Sequence, residues 1–266
     1  MKKILLLFFL TIVGLVFYRI FSAWFPKNTS QNIINKKEDM VKIIPTLSNI
    51  KTNTIELINN RKKITVSWIK ITNLKKLHLL PNFSEKLSAE SVKNINKCES
   101  IINGGFYYEN NTPIGLFQIN NDEISNEIAS NFFNGFFFVS SDEKAGIRRE
   151  IPTLNFNFAL QSGPILIERN NPLDLKIIND EEDRRIVVAV NRESEIFFIS
   201  LYKSDFEIKG PLLSDVPIFL KELEDKIGEN FETALNLDGG TASAFYAPGI
   251  SLREITSVGS FFCVKK

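Results

Sequence analysis

Residues 214–240 read SDVPIFLKELEDKIGENFETALNLDGG, and two periodicities follow one another within them. Val216, Phe219, Leu220, Leu223 and Ile227 recur at helical spacing and form one apolar face. Ser214 suits the N-cap, Pro217 the first turn and Gly228 the C-terminal stop. Residues 234–237 then read as a buried strand, which runs out into Asp238-Gly239-Gly240. A helix is thus followed by a strand whose tip carries a carboxylate beside two glycines.

Working outward, the rest of the chain is mostly strand-like. Residues 64–71, ITVSWIKI, alternate and are rich in β-branched and aromatic side chains. Residues 84–97 suggest a helix with Ala89, Val92 and Ile95 on one side. Residues 100–102 form a short apolar run that ends in Asn103-Gly104-Gly105. Short β-like runs follow at 116–119, 136–139, 158–160, 165–167, 186–190 and 196–201, with closing strands at 244–246 and 260–264. Many short strands with turns between them and few helices predict an α+β fold, a mixed, mainly antiparallel sheet system in one domain. No internal repeat is present.

The N-terminus differs. Met1-Lys2-Lys3 precedes an apolar run over 4–18, which Arg19 interrupts and 20–25 continues. This length approaches a membrane span, and its layout is also that of a signal peptide. Phe21-Ser22-Ala23 puts a large residue where cleavage prefers a small one, which favours an uncleaved anchor. The expected organisation is an anchor over 1–25, a polar linker over 26–62 with an early strand near 41–44, and a globular domain over 63–266. The domain is expected outside the cytoplasm, anchored, or secreted if the segment is cleaved.

Composition narrows the chemistry. The 266 residues are 44% hydrophobic and 24% charged, as in a globular chain, with a net charge of +1. No Lys/Arg run flanked by aromatics argues for nucleic acid. His78 is the one histidine and has no nucleophile motif around it, so a Ser/His/Asp triad is not expected. Zinc sites of the Cys/His type need more ligands than Cys98, Cys263 and His78 supply. The two cysteines fit one disulfide in an exported protein, or two buried thiols. Oligomeric state has no readable signature.

Four segments carry chemistry. They are Asn103-Gly104-Gly105-Phe106-Tyr107, Gln161-Ser162-Gly163-Pro164, Asp183-Arg184-Arg185-Ile186, and Asn236-Leu237-Asp238-Gly239-Gly240-Thr241. Three of them set a polar residue beside glycine at the end of an apolar run. Glycine lets a ligand approach the main chain, and exposed N–H groups there form an anion-binding concavity. The remaining segment supplies a guanidinium, suited to bidentate phosphate contact. Each motif alone is most often a turn; the ordered set points to a site for an anionic substrate.

In that order the segments resemble the phosphodiester glycosidase family, from about residue 64 to the C-terminus. Asn103, Gly104 and Gly105 fall on the first family segment, and Ser162 and Gly163 on the second. Arg185 falls on the third, and Asp238, Gly239 and Gly240 on the fourth. Ala189, Thr241 and Ala242 depart from the family pattern, at positions where it favours Gly, Gly and Ser. The resemblance implies hydrolysis of a sugar 1-phosphodiester of the N-acetylglucosamine-1-phosphate type, in a glycan or envelope polymer.

On that reading Asp238 is the catalytic carboxylate and Arg185 holds the phosphate. Asn103 and Ser162 orient the sugar or water, the amides near Gly104, Gly105, Gly239 and Gly240 add anion contacts, and Gly163 shapes the second loop. Tyr107 and Tyr246, and less so Phe106, can line a sugar platform. No cofactor is expected. Asp238 and Asn236 offer two oxygen ligands, short of a cation site, which leaves a divalent ion open. Glu109 and Glu168 lie near the motifs without matching a second catalytic carboxylate. The rival reading is a non-catalytic envelope protein, structural or binding an anionic glycan.

Overall fold

The computed structural model describes residues 51–266 apart from residues 60 and 111. The expected membrane segment, most of the linker and the strand near 41–44 lie outside the described residues. Among the described residues no helix is long and apolar enough to cross a membrane.

The described chain lies within one compact unit, Leu47–Lys266, built of three antiparallel sheets. The first has seven strands, comprising β1 (Asn53–Asn59), β2 (Lys62–Ile71), β10 (Ile165–Glu168), β11 (Asn171–Pro172), β12 (Arg185–Asn191), β13 (Ile196–Tyr202) and β14 (Phe231–Asn236), in the order β1-β2-β13-β12-β14-β10-β11. The second runs β16-β15-β4-β17-β3, from β3 (Leu77–Pro81), β4 (Cys98–Asn103), β15 (Phe245–Ala247), β16 (Ile250–Leu252) and β17 (Ser260–Lys265). The third runs β6-β5-β9-β7-β8, from β5 (Phe117–Ile119), β6 (Asp122–Ser125), β7 (Gly135–Ser140), β8 (Ala145–Arg148) and β9 (Phe156–Ser162).

The continuous apolar runs are explained by burial on both faces. Along β12, Ile186, Val188 and Val190 face a central core shared by the three sheets, while Val187 and Ala189 face the opposite side. That side is covered by α2 (Val216–Ile227), whose Val216, Phe219, Leu220 and Leu223 are buried as the sequence predicts. In the same way Phe137 and Val139 of β7 enter the central core, while Phe136 and Phe138 pack outward. Four rings join the sheets: Phe262 lies 5.5 Å from Phe137, 5.6 Å from Phe158 and 5.0 Å from Phe198.

Several boundaries move. β1 lies in the stretch expected to be linker, yet pairs with β2 from Asn53↔Trp68 to Asn59↔Lys62, so the sheet begins before residue 63. β3, β6, β8, β11 and β16 were not expected; they are short or half-exposed, and their alternation is weak. The helix over 84–97 shrinks to α1 (Ala89–Ile95), capped by Ser88, and Ile95 is exposed. Ser214 does not cap α2. Its N–H and hydroxyl donate to Asp180, and a 3₁₀ turn, Leu213–Asp215, leads into the helix. Gly228 ends α2 in the left-handed conformation, φ 71°. His78 stands exposed on β3 opposite Cys263, and burial with nearby Lys265 lowers its pKa.

Cys98 and Cys263 form a disulfide between β4 and β17, 165 residues apart in sequence. Such a long loop stabilises largely by restricting the unfolded chain. Replacing both cysteines with serine is expected to cost about 2–5 kcal/mol. Urea denaturation should show this as a lower midpoint, and reductant should shift the parent to match the variant.

Candidate active site

The four segments come from all three sheets and meet at their strand ends. Asn103 ends β4, Ser162 ends β9, Arg185 begins β12, and Asn236 ends β14. Main-chain bonds hold them in register. Leu237 donates to the carbonyl of Ile186 at 2.8 Å, Gly240 to Arg184 at 2.9 Å, and Asn236 to Pro164 at 3.0 Å.

Asn103 is 0% exposed and binds both glycine loops. Its Nδ2 donates to the carbonyl of Gly104 at 3.0 Å and to that of Asp238 at 2.9 Å. Its Oδ1 accepts from the amide of Ala244 at 2.9 Å. The side chain expected to orient substrate therefore orients the main chain. Ser162 is likewise committed: its hydroxyl donates to the carbonyl of Asn236 at 2.7 Å in the interior.

The glycines are required by close packing. A Cβ on Gly104 would lie 2.1 Å from Ser260 Oγ, and one on Gly163 would lie 1.9 Å from the carbonyl oxygen of Phe132. Gly240 has φ 56°, in the left-handed region that favours glycine. A Cβ on Gly239 would lie 2.8 Å from the carbonyl oxygen of Arg184, and one on Gly105 would lie 3.2 Å from that of Gln161.

Asp238 stands at the centre, partly exposed. Its Oδ1 accepts from the amide of Gly239 at 2.8 Å, which favours the charged form. Desolvation by the surrounding walls outweighs this and pushes its pKa up to about 7. Tyr107 is close enough for the Asp238 charge to raise its pKa further, on top of burial. The Tyr107 hydroxyl donates to Ser260 Oγ. Other acidic side chains near the motifs are engaged or exposed: Asp183, which lies against Gly240, binds Lys209 at 2.7 Å, Glu168 binds Arg149 through both oxygens at 2.7 and 2.9 Å, and Glu109 is exposed.

The two arginines divide differently from expectation. Arg184 is 1% exposed. It donates to Ser243 Oγ at 2.7 Å and to the carbonyls of Ser243 and Arg253 at 2.5 and 2.6 Å, and burial pushes its pKa down to about 10. Arg185 lies on the strand beside the Asp238 loop, its Cδ 3.9 Å from where a Gly239 Cβ would stand. Its guanidinium donates to Asp180 at 3.3 Å, to the carbonyl of Pro211 at 3.2 Å and to that of Glu181. A phosphate clamp would need these donors turned towards Asp238; here they tie the 180–183 turn to the sheet.

Two features escape sequence reading, Ser260 and the Phe132–Phe133 pair, while the sequence offers Asn236 only as an oxygen ligand. Ser260 joins the site only because β17 pairs with β4. Asn236 is 2% exposed, its Nδ2 donates to the carbonyl of Gly163, and its Oδ1 is buried without a hydrogen-bond partner. Phe132 and Phe133 gather on Phe106, with ring centroids 5.9 and 5.1 Å from it, a half-exposed aromatic wall beside Gly163. Tyr246 is buried at 6% exposure on the outer side of the second sheet, with Ile101 and Phe261.

These converging segments are those of the phosphodiester glycosidase family, and the chain belongs to it: the family's sequence model matches residues 96–262. The folded region is similar to the solved catalytic domain of zebrafish N-acetylglucosamine-1-phosphodiester alpha-N-acetylglucosaminidase, auto-inhibited by its pro-peptide. The TM-score is 0.65 at 14% identity, covering 82% of this chain and 83% of that one. A hypothetical protein from Synechocystis is similar with a TM-score of 0.56 at 15% identity, over 80% of this chain and 61% of that one. At these identities the likeness speaks for the fold. No curated protein matches the sequence.

Replacing Asn103 with alanine would leave two carbonyls and an amide without their buried partner. The variant is expected to lose about 2–4 kcal/mol of stability, read as a lower urea midpoint. Amide exchange should quicken at Ala244 before it quickens in the strands.

Proposed function

We propose that the chain hydrolyses a sugar 1-phosphodiester, with Asp238 as the general base. The observation that carries this reading is a desolvated carboxyl with a pKa of about 7, set among glycine-rich strand ends in a phosphodiester glycosidase fold. A base works best when its pKa lies near the operating pH. In the proposed step Asp238 takes a proton from water, and the water oxygen bonds to the anomeric carbon. The bond from that carbon to the phosphate oxygen breaks, and the phosphate leaves as a monoester. Phosphate is a good leaving group, so a second carboxyl acting as a strong acid is not required.

Around that step we assign the chain's groups as follows. The Gly105 amide, outside the hydrogen bonds that engage the amides of Gly104, Gly239 and Gly240, faces the phosphate oxygens. Phe106 with Phe133 packs on a sugar face. Asn103 and Ser162 are positioning residues that hold the glycine loops, and Arg185 holds the neighbouring 180–183 segment. The Cys98–Cys263 disulfide favours an oxidising compartment, in keeping with a domain outside the cytoplasm.

Asp238→Asn is expected to lower kcat/KM on a sugar 1-phosphodiester at least ~100-fold, the low end of what a general base contributes. Full activity in that variant, measured as released phosphate monoester, would leave a glycan-binding protein as the better reading. In the parent, kcat/KM should rise with pH and level off above about 7.

The same variant carries a stability prediction. Because folding raises the Asp238 pKa, the native state favours the neutral carboxyl, and the domain loses stability as pH rises from the ordinary carboxylate range towards about 7. Asparagine removes that loss. The variant should melt with the parent at pH 4 and exceed it at pH 8, by ~2–4 kcal/mol at ~1.4 kcal/mol per pH unit of displacement.

A further inference from the structure

Away from Asp238, the third sheet meets the far end of the first. β8 packs against β12 and β14 there, and a groove of about 690 Å³ opens between them. Lys144, Arg148, Arg149, Arg169 and Arg192 line it. They come from β8 and its flanks, the turn after β10 and the turn after β12. The chain holds nine arginines against 23 lysines, and four of the nine are here. That choice matters, because arginine binds phosphate through a planar fork while lysine is a point charge.

The lining also carries Glu150, Glu168 and Glu232. Glu168 is taken up by Arg149 and Lys144 pairs with Asp142. Among the described residues no ion pair engages Arg148, Arg169 or Arg192, and all three are exposed. An exposed, screened cation contributes little by itself. A ligand gains from this groove only by meeting several of the arginines at once.

The groove leads towards the candidate active site. A second cavity, of about 580 Å³, shares Arg149, Glu150 and Ile151 with it. Its other side is formed by Phe133 and Asn134, and Phe133 belongs to the aromatic wall beside Gly163. Along β12 the distance from Arg185 to Asn191 is six residues, about 20 Å at ~3.3 Å per residue, too far for one sugar phosphate.

We propose that the arginine groove is a second binding site for a linear polymer of sugars joined through phosphodiesters, whose end reaches Asp238. The direction of the polymer rests on the proposed hydrolysis; the binding does not. The groove's one aromatic, Phe138, is buried at 4% exposure. It offers no platform on which nucleic-acid bases stack.

The test uses the full chain and a fluorescently labelled synthetic hexamer of glycosyl phosphodiester units. Replacing Arg148, Arg169 and Arg192 with glutamine is expected to weaken hexamer binding at least ten-fold. The slope of log affinity against log salt should fall by about two, at ~0.7 per lost contact on a single strand. The monomeric diester should still be cleaved with kcat/KM within two-fold of the parent, which also shows that the variant is folded. A charge-matched variant with Lys86, Lys226 and Lys266 changed to glutamine should bind as the parent does.

Hexamer affinity that survives the arginine changes, or falls equally in the lysine variant, overturns the proposal. So does an oligothymidylate of equal charge that competes as well as the hexamer. Arginine-dependent binding of a hexamer that is never cleaved supports the groove and removes the hydrolase reading. Cleavage of the monomeric diester without arginine-dependent binding does the reverse.

Discussion

The amide of Asn103 is the constraint on which the candidate site depends. One buried side chain ties the carbonyl of Gly104, the carbonyl of Asp238 and the amide of Ala244. It therefore couples the second sheet to the tip of β14 in the first. A buried amide that lost these partners would strand main-chain groups away from water, so the loops keep one arrangement. Ser162 adds the third sheet by bonding to Asn236. Arg184 locks the far side of the Asp238 loop through Ser243. The polar groups at this junction mostly serve the backbone, and the Asp238 carboxyl is left with the Gly239 amide as its hydrogen-bond partner.

This division of labour explains the electrostatics. The guanidiniums nearest in sequence to the site are turned to carbonyls and to Asp180, so they do not hold the Asp238 carboxyl ionised. Desolvation then dominates and lifts its pKa into the neutral range. Free positive charge is found instead at the opposite end of the strands, where Arg148, Arg169 and Arg192 line the groove. One end of the seven-stranded sheet is suited to chemistry and the other to holding a charged chain.

The sequence was informative where local physics decides. The apolar face of 216–227 and its Gly228 stop predicted α2, and the apolar runs within β12, β13 and β14 predicted strands. The glycine pairs after β4 and β14 marked loops that nothing larger fits, as Ser260 Oγ behind Gly104 illustrates. Weakly patterned edge strands were missed, and β1 was read as linker because Asn53, Thr54, Glu56 and Asn59 interrupt its apolar residues.

By itself the sequence determined the strand-rich α+β class, the family resemblance and the four segments that meet around Asp238. Those follow from periodicity and from glycine's lack of a side chain, which act within a few residues. Only the tertiary structure decided what each polar group does. It made Asn103 and Ser162 latches, turned Arg185 away from Asp238, joined Cys98 to Cys263, brought Ser260 to Tyr107 and gathered arginines from three segments into one groove. Those roles depend on contacts between segments distant in sequence, 74 residues for Ser162 with Asn236 and 135 for Asn103 with Asp238, and on how little water the packed sheets leave between them.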